Sequence, residues 1–344
     1  VSHDATSLMM EEARSAAHCV ALQLSNDVER YADLGRQLRA ASFNNVVTVA
    51  RGSSDHASSY FAYLTMARLG RLVTSLPMSL VTLYNAKLQT QGTLAVSISQ
   101  SGQSPDVVEP IRYFRAGGAT TVALVNDIDS PLAQAAEWAM PLHAGKEQSV
   151  AATKSFITSL SAGARLVAEW QDDKELREGL QALPDALQRA TETDWSKAID
   201  ILAPARNIMV VGRGISFPVA LESALKFKET SALQAEAFSG AEIKHGPMAL
   251  IEEGYPLLIF ATRGPAQAGL VALAEEMRGR GARVLLAAPQ DVAGRDLDLP
   301  VASTPDLDPI VAIQAFYVMA AQLSKARGLN PDQPRHLSKV TKTN

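Results

Sequence analysis

The chain of 344 residues has one cysteine, Cys19, so no internal disulfide can form and a reducing, cytoplasmic compartment is expected. Its six histidines show neither an H-E-x-x-H run nor any paired Cys/His spacing, so no metal site is expected. Long apolar runs are also missing. The most apolar one, residues 309–323, is interrupted by Gln314 and Gln322 and is shorter than a bilayer requires. The N-terminus lacks a signal peptide's apolar core, and no membrane association is expected. The 32 Lys and Arg are scattered among 36 Asp and Glu, giving a net charge of -4 with no basic stripe, which argues against nucleic acid as a partner. Nucleotide fingerprints fail as well. In "VVGRGISF" Gly212 and Gly214 occupy the first two glycine positions of a dinucleotide loop but Phe217 occupies the third, and no G-x-x-x-x-G-K-[ST] run exists. No cofactor is expected.

What is present is apolar material, 47% of the residues, enough for a large core divided between two domains. Short β-branched runs start at Asn45, Thr93, Thr120, Asn207, Pro256 and Ala282, with helical patterns between them. Continuous apolar strands alternating with helices predict an α/β fold of doubly wound parallel sheets flanked by helices, flavodoxin-like and three-layered. "VVTVARGSSDHASSYFAYL" from Val46 and "IMVVGRGISFPVALESALKF" from Ile208 repeat one order: strand, Arg-Gly, a serine-containing turn, helix. Two copies of one fold are expected, residues 41–175 and 196–330, joined by a charged helical stretch. Residues 1–40 hold two amphipathic helices, from residue 4 on, that should pack on the first copy or on a second subunit; residues 331–344 form a tail.

Three polar turns stand where ligands gather in such folds, beyond the carboxyl ends of strands and at helix N-termini. In "LAVSISQSGQSPD" a buried strand ends in Ser99, Gln100, Ser101 and Ser104, and Ser104-Pro105 has the pattern of an N-cap followed by proline at the first helical position. "RGSSDHAS" supplies Gly52, Ser53 and Ser54 ahead of a helix; "KEQSVAATKSF" places Ser149, Thr153 and Lys154 where another helix begins. One such turn is an ordinary capped loop. Three in one unit suggest a polar pocket able to hold a phosphate without a lysine.

The densest ionisable segment starts at Ala220. On a helix Glu222, Lys226 and Glu229 share one face, while Lys228 points elsewhere. An exposed ion pair would explain this spacing equally well. Downstream, "EIKHGP" sets His245 in a short turn bounded by Gly246 and Pro247. A helix-borne carboxylate, a lysine and a loop histidine can together move a proton at a carbon beside a carbonyl.

The motifs "RGSS", "SQSGQSPD", "VAATKSF", "ALKFKET", "AEAFSGAEIKHGP" and "DQPRHLSKVTKTN" resemble, in order, those of the double-SIS (sugar isomerase) family, the isomerase half of glucosamine-6-phosphate synthase. The likeness is closest to its SIS-type glucosamine-6-phosphate deaminases. The resemblance implies that Ser99, Gln100, Ser101 and Ser104 bind the phosphate of a sugar phosphate, with Ser104 in place of a common threonine. It further implies that Gly52, Ser53, Ser54 and Val150 line the sugar site, and that Glu229 moves a proton between C1 and C2. His245 would assist ring opening, often from the other subunit of a homodimer. Glu222 and Lys226 would orient Glu229 or the sugar, and Lys339 matches the lysine that condenses with the open-chain ketose in the synthase. Two departures stand out: Ala152 replaces a sugar-binding serine, and no glutaminase domain with a catalytic N-terminal cysteine is expected, since Cys19 reads as a core residue. The expected reaction therefore releases ammonia. A fructosamine-6-phosphate deglycase, a ketose/aldose isomerase and a non-enzymatic sugar-phosphate sensor are the alternatives.

Overall fold

The computed structural model describes residues 6–339. It contains two sheets of five parallel strands. The first comprises β1 (Asn45–Val49), β2 (Val73–Ser75), β3 (Thr93–Ser99), β4 (Thr120–Val125) and β5 (Trp138–Pro141), in spatial order 2-1-3-4-5. The second comprises β6 (Asn207–Gly212), β7 (Gln234–Ser239), β8 (Pro256–Phe260), β9 (Arg283–Ala288) and β10 (Leu297–Asp298), in order 10-9-8-6-7. Counted within its own sheet, each strand of the second occupies the same place as its counterpart in the first. The repeat seen in the sequence is thus a repeat of topology, and helices flank both sheets.

All six apolar runs read from the sequence are strands, and β2, β5, β7 and β10 were not anticipated. Those four are the sheet edges. An edge strand is covered on fewer sides, so it carries no continuous apolar run; β7 alternates an exposed Gln234 and Glu236 with a buried Ala235.

The chain divides into two compact units. One, the first-sheet unit, holds His18–Glu147, Lys154–Gln181 and the chain from Ser338; the second-sheet unit holds Ala182–Leu337, Gln148–Thr153 and the residues through Ala17. The core of the first-sheet unit is built around the helix Lys154–Gln171, buried along nearly its whole length, against which Ser53–Leu69 and Val28–Ala40 pack. In the second-sheet unit the equivalent role falls to Asp308–Ala326, which packs on Phe217–Ser231, Leu183–Ala190 and Ser196–Leu202. That helix is long and apolar enough to cross a membrane by composition, but 94% of its apolar window is buried inside the unit.

The N-terminal segment differs from expectation. It forms three helices, Leu8–Arg14, Ala16–Ser25 and Val28–Ala40, broken at Ser15 and at Asp27, whose backbone is left-handed at φ 55°. The first belongs to the second-sheet unit, where it packs on Asp308–Ala326. Cys19 is buried with its thiol toward the Ala144 carbonyl, a packing role as read from the sequence.

Val28–Ala40 approaches Lys154–Gln171 closely because Gly35 sits between them: a Cβ there would lie 2.6 Å from the Glu169 carbonyl oxygen. Gly35→Ala should therefore cost about 1–3 kcal/mol through overpacking, measured as a lower urea midpoint with an unchanged slope.

Candidate active site

In the first sheet the connections from β1 and β3 leave toward opposite sides, which makes the gap between these two strands the switch point of the fold. The hydroxyl-rich turns follow these two strands. Gly52 adopts φ 58°, which turns the chain sharply after β1, so that Ser53 and Ser54 are the first residues of the helix Ser53–Leu69 and not, as expected, part of a loop ahead of it. Their position in the first turn places them among the backbone N–H groups that no helical carbonyl can satisfy.

After β3 the chain passes through residues 100–104 into the helix Pro105–Ala116. The turn is closed by its own groups: Ser99 Oγ accepts the Gly102 N–H at 2.9 Å and Ser101 Oγ that of Gln103 at 3.4 Å. Both hydroxyls are used here as acceptors, which keeps their protons for an incoming oxyanion. Gly102, at φ 61°, is required, since a Cβ there would come within 2.2 Å of Ser130 Oγ. Ser97, two residues earlier in the strand, is structural; its hydroxyl is buried and donates to the Val49 carbonyl at 2.7 Å.

Ser104 is at the N-cap position with Pro105 following, but it makes no cap hydrogen bond. Its hydroxyl donates instead to Asp106 Oδ1 at 3.1 Å. The other oxygen, Oδ2, receives Arg51 Nε at 3.0 Å and a terminal guanidinium nitrogen at 2.8 Å. Asp106, 3% exposed, thus ties the turn after β1 to the turn after β3 across the switch point. Sequence reading passed over Asp106 and Arg51 because neither carries a hydroxyl or a spacing signal.

The second-sheet unit contains the ionisable helix. Phe217–Ser231 starts with Pro218 in its first turn, and its C-terminus is held by Arg327, which donates to the carbonyls of Ser231, Leu202, Ala203 and Ala205. On its inner face Lys226, 1% exposed, lies 3.2 Å from Glu222 Oε1 and 2.5 Å from Glu229 Oε2. Glu222 is fully buried and also accepts from the Tyr317 hydroxyl at 3.1 Å. Burial works against the charge on Lys226, but the two carboxylates outweigh it and hold its proton more firmly than in an ordinary lysine. Lys228 faces solvent, as the spacing predicts.

Glu229 is the partly open member of this trio. It lines a cavity of about 520 Å³ whose far wall is the tail, Gln333 to Leu337, with Lys228 and Thr230 beside it. His245, in the short 3-10 turn Glu242–His245, is exposed and lines a different cavity of the same unit, with Arg213, Lys244 and Glu276. Val150 and Ala152 are half-buried in the segment Gln148–Thr153 of this unit. Lys339 belongs to the first-sheet unit, where its ammonium lies 3.1 Å from Glu147 Oε2; that carboxylate is buried and also receives the Ser155 hydroxyl. The structure therefore gathers Gly52, Ser53, Ser54, Ser99, Gln100, Ser101, Ser104 and Lys339 in one unit, and Val150, Ala152, Glu222, Lys226, Glu229 and His245 in the other. Among the described residues no group of three or more His, Cys, Asp or Glu could hold a metal ion.

Two α/β units of one strand order, one with hydroxyl-rich turns at its switch point and one with a buried acid–ammonium–acid helix, define a duplicated strand-end ligand-binding protein. The chain belongs to the SIS domain family, which it matches over residues 40–168 and 201–290. It is 31% identical over 319 residues to the glutamine–fructose-6-phosphate aminotransferase (isomerizing) of Corynebacterium glutamicum, covering 87% of this chain and 51% of that protein. The chain spans about half the length of the curated relatives it matches. Among solved structures, a protein of Silicibacter pomeroyi DSS-3 classed with the phosphosugar isomerases is 39% identical, with a TM-score of 0.89 over 95% of this chain and 100% of that one. The glucosamine-6-phosphate deaminase of Thermotoga maritima shares the fold, with a TM-score of 0.79 at 22% identity over 98% and 100% of the two chains.

Lys226→Met should destabilise the protein by about 3–5 kcal/mol, because it strands the buried Glu222 carboxylate; changing Glu222 to Gln in the same chain should recover part of that loss in a denaturant titration. Asp106→Ala removes the link between the two turns, and hydrogen exchange of the peptides spanning residues 51–54 and 99–104 should quicken while the rest of the chain keeps its protection.

Proposed function

We propose that the chain is a phosphosugar isomerase of deaminase type, converting glucosamine 6-phosphate to fructose 6-phosphate and ammonia. The observation that carries this reading is the Glu222–Lys226–Glu229 arrangement. It leaves one carboxylate, Glu229, fixed by a buried ammonium and open to a cavity, which is the placement a base for a carbon acid needs. The hydroxyl-lined turns of the first-sheet unit supply the complementary grip on a phosphate. The similarity to the aminotransferases and to a phosphosugar isomerase supports the substrate class, and the motifs around Arg51, Ser99 and His245 favour the deaminase among its members.

In the proposed sequence the phosphate binds at Ser99, Gln100, Ser101 and Ser104. The Ser104 hydroxyl must turn from Asp106 to donate to it, while Arg51 still holds Asp106. His245 passes a proton to or from the ring oxygen as the sugar opens. Glu229 takes the proton from C2 and returns it at C1, so the C2 amine becomes a ketimine; water adds at C2 and ammonia leaves. Gripping the remote phosphate spends binding energy on orienting C1 and C2, so glucosamine should lose turnover as well as affinity. A Schiff base on Lys339 would require breaking its ion pair with Glu147.

We further propose that the working form is a homodimer in which His245 reaches the site of the other subunit; its exposure and its separation from the Glu229 cavity support this. Glu229→Gln should lower ammonia and ketose phosphate formation about 100- to 10,000-fold with the phosphate still bound. Near-normal turnover in that variant would remove Glu229 as the base. Ketose formation without ammonia from a non-amino sugar phosphate would redirect the reading to a simple isomerase. Mixing inactive Glu229→Gln and His245→Asn chains should restore about one quarter of wild-type activity if each site draws on both subunits of a two-fold dimer.

A further inference from the structure

The segment Gln148–Thr153, which carries Val150 and Ala152, has neither helix nor strand to fix it. Three of its consecutive backbone N–H groups are nevertheless held by one small network inside the second-sheet unit. Glu12, on the helix Leu8–Arg14, accepts the Gln148 N–H on Oε1 at 2.5 Å and the Ser149 N–H on Oε2 at 3.1 Å. The Val150 N–H goes to the carbonyl of Asp332 at 3.3 Å. The carboxylate of that same Asp332 caps the first turn of the Glu12 helix, accepting from Leu8 N–H at 3.0 Å and Met9 N–H at 2.8 Å. The ring is closed: tail, N-terminal helix, strap and tail again.

Glu12 is 8% exposed, and its helix otherwise buries Met9, Met10 and Ala13. A carboxylate at such a position is costly unless its lone pairs are filled, and an apolar side chain would cover the core as well. What the carboxylate adds is direction, since it turns two successive peptide groups of the strap toward itself. Direction matters here because Ala152 has no hydroxyl and Ser149 and Thr153 are buried, which leaves the backbone and the side chains of Gln148 and Val150 to address a sugar.

We propose that Glu12 is a positioning residue for sugar recognition, holding the peptides of residues 148–150 so that the strap presents its remaining backbone groups to the sugar. This rests on the phosphosugar reading above. Its role is separable from that of the phosphate-binding turns, which lie in the other unit.

The test uses the full chain with Glu12→Gln, which retains one acceptor oxygen but sets an amide NH2 against a backbone N–H, and Asp332→Asn as a second variant. The expected result for Glu12→Gln is a KM for glucosamine 6-phosphate raised about tenfold with kcat changed less, and unchanged calorimetric affinity for inorganic phosphate. Hydrogen exchange of the peptide spanning residues 148–150 should quicken in both variants while the rest of the chain keeps its protection. An unchanged KM, or phosphate and sugar-phosphate affinities falling together, would overturn the proposal. If the wild-type chain turns over no sugar phosphate, the function reading falls; unchanged exchange at residues 148–150 would then still overturn the positioning role on its own.

Discussion

A buried ammonium between two carboxylates is the constraint on which the second-sheet unit depends. Lys226 has almost no contact with water, and an unpaired charge at that depth would neutralise itself or unfold the helix. Glu222 balances it, with the Tyr317 hydroxyl taking up a further lone pair on Oε1. Glu229 is the second carboxylate of the trio, and it is the one that faces the cavity. Because Glu222 already pairs the buried ammonium, Glu229 can lie within 2.5 Å of a cation and still be open to the cavity.

Charge is handled differently at the first sheet. The turns after β1 and β3 offer hydroxyls, backbone N–H groups and one arginine that is already committed to Asp106. Asp106 sits in the first turn of Pro105–Ala116, where a carboxylate interacts well with the helix dipole but would repel an incoming anion. Arg51 cancels that charge. What these turns then present is oriented backbone dipoles and hydroxyls, with a second carboxylate, Asp55, in the first turn of Ser53–Leu69.

The six central strands could be read from the sequence because each is largely buried and therefore mostly apolar; the four edge strands could not, because one side of each is uncovered. The shared face of Glu222, Lys226 and Glu229 followed from helical spacing alone, yet nothing local showed whether that face was wet or dry. Tyr317, 88 residues beyond Glu229 in a run that reads as pure core, supplies the answer only once the helices pack. Asp106, Glu12 and Asp332 were missed for a related reason. Each is an ordinary acidic residue on a helix or turn, and its significance lies in distant backbone N–H groups or guanidinium nitrogens. The opposite error occurred at Ser104, whose hydroxyl donates to a side chain where a helix cap was expected.

The two copies of the fold differ at their equivalent strand ends. In the second sheet the gap between β6 and β8 is filled from within: Ser216, 1% exposed, accepts the Arg213 N–H and faces the carbonyls of Arg213 at 3.1 Å and Phe260 at 3.4 Å. Beyond β8, Arg263 is clamped on both oxygens of Asp308 and on the Ala302 carbonyl. Three of the Arg263 N–H bonds are thus spent inside the unit, whereas the Ser99 and Ser101 hydroxyls act as acceptors within their own turn. The helix after β6 buries Lys226 and Glu222 along its length with Glu229 partly open, whereas the equivalent helix of the first copy, Ser53–Leu69, starts with two serines.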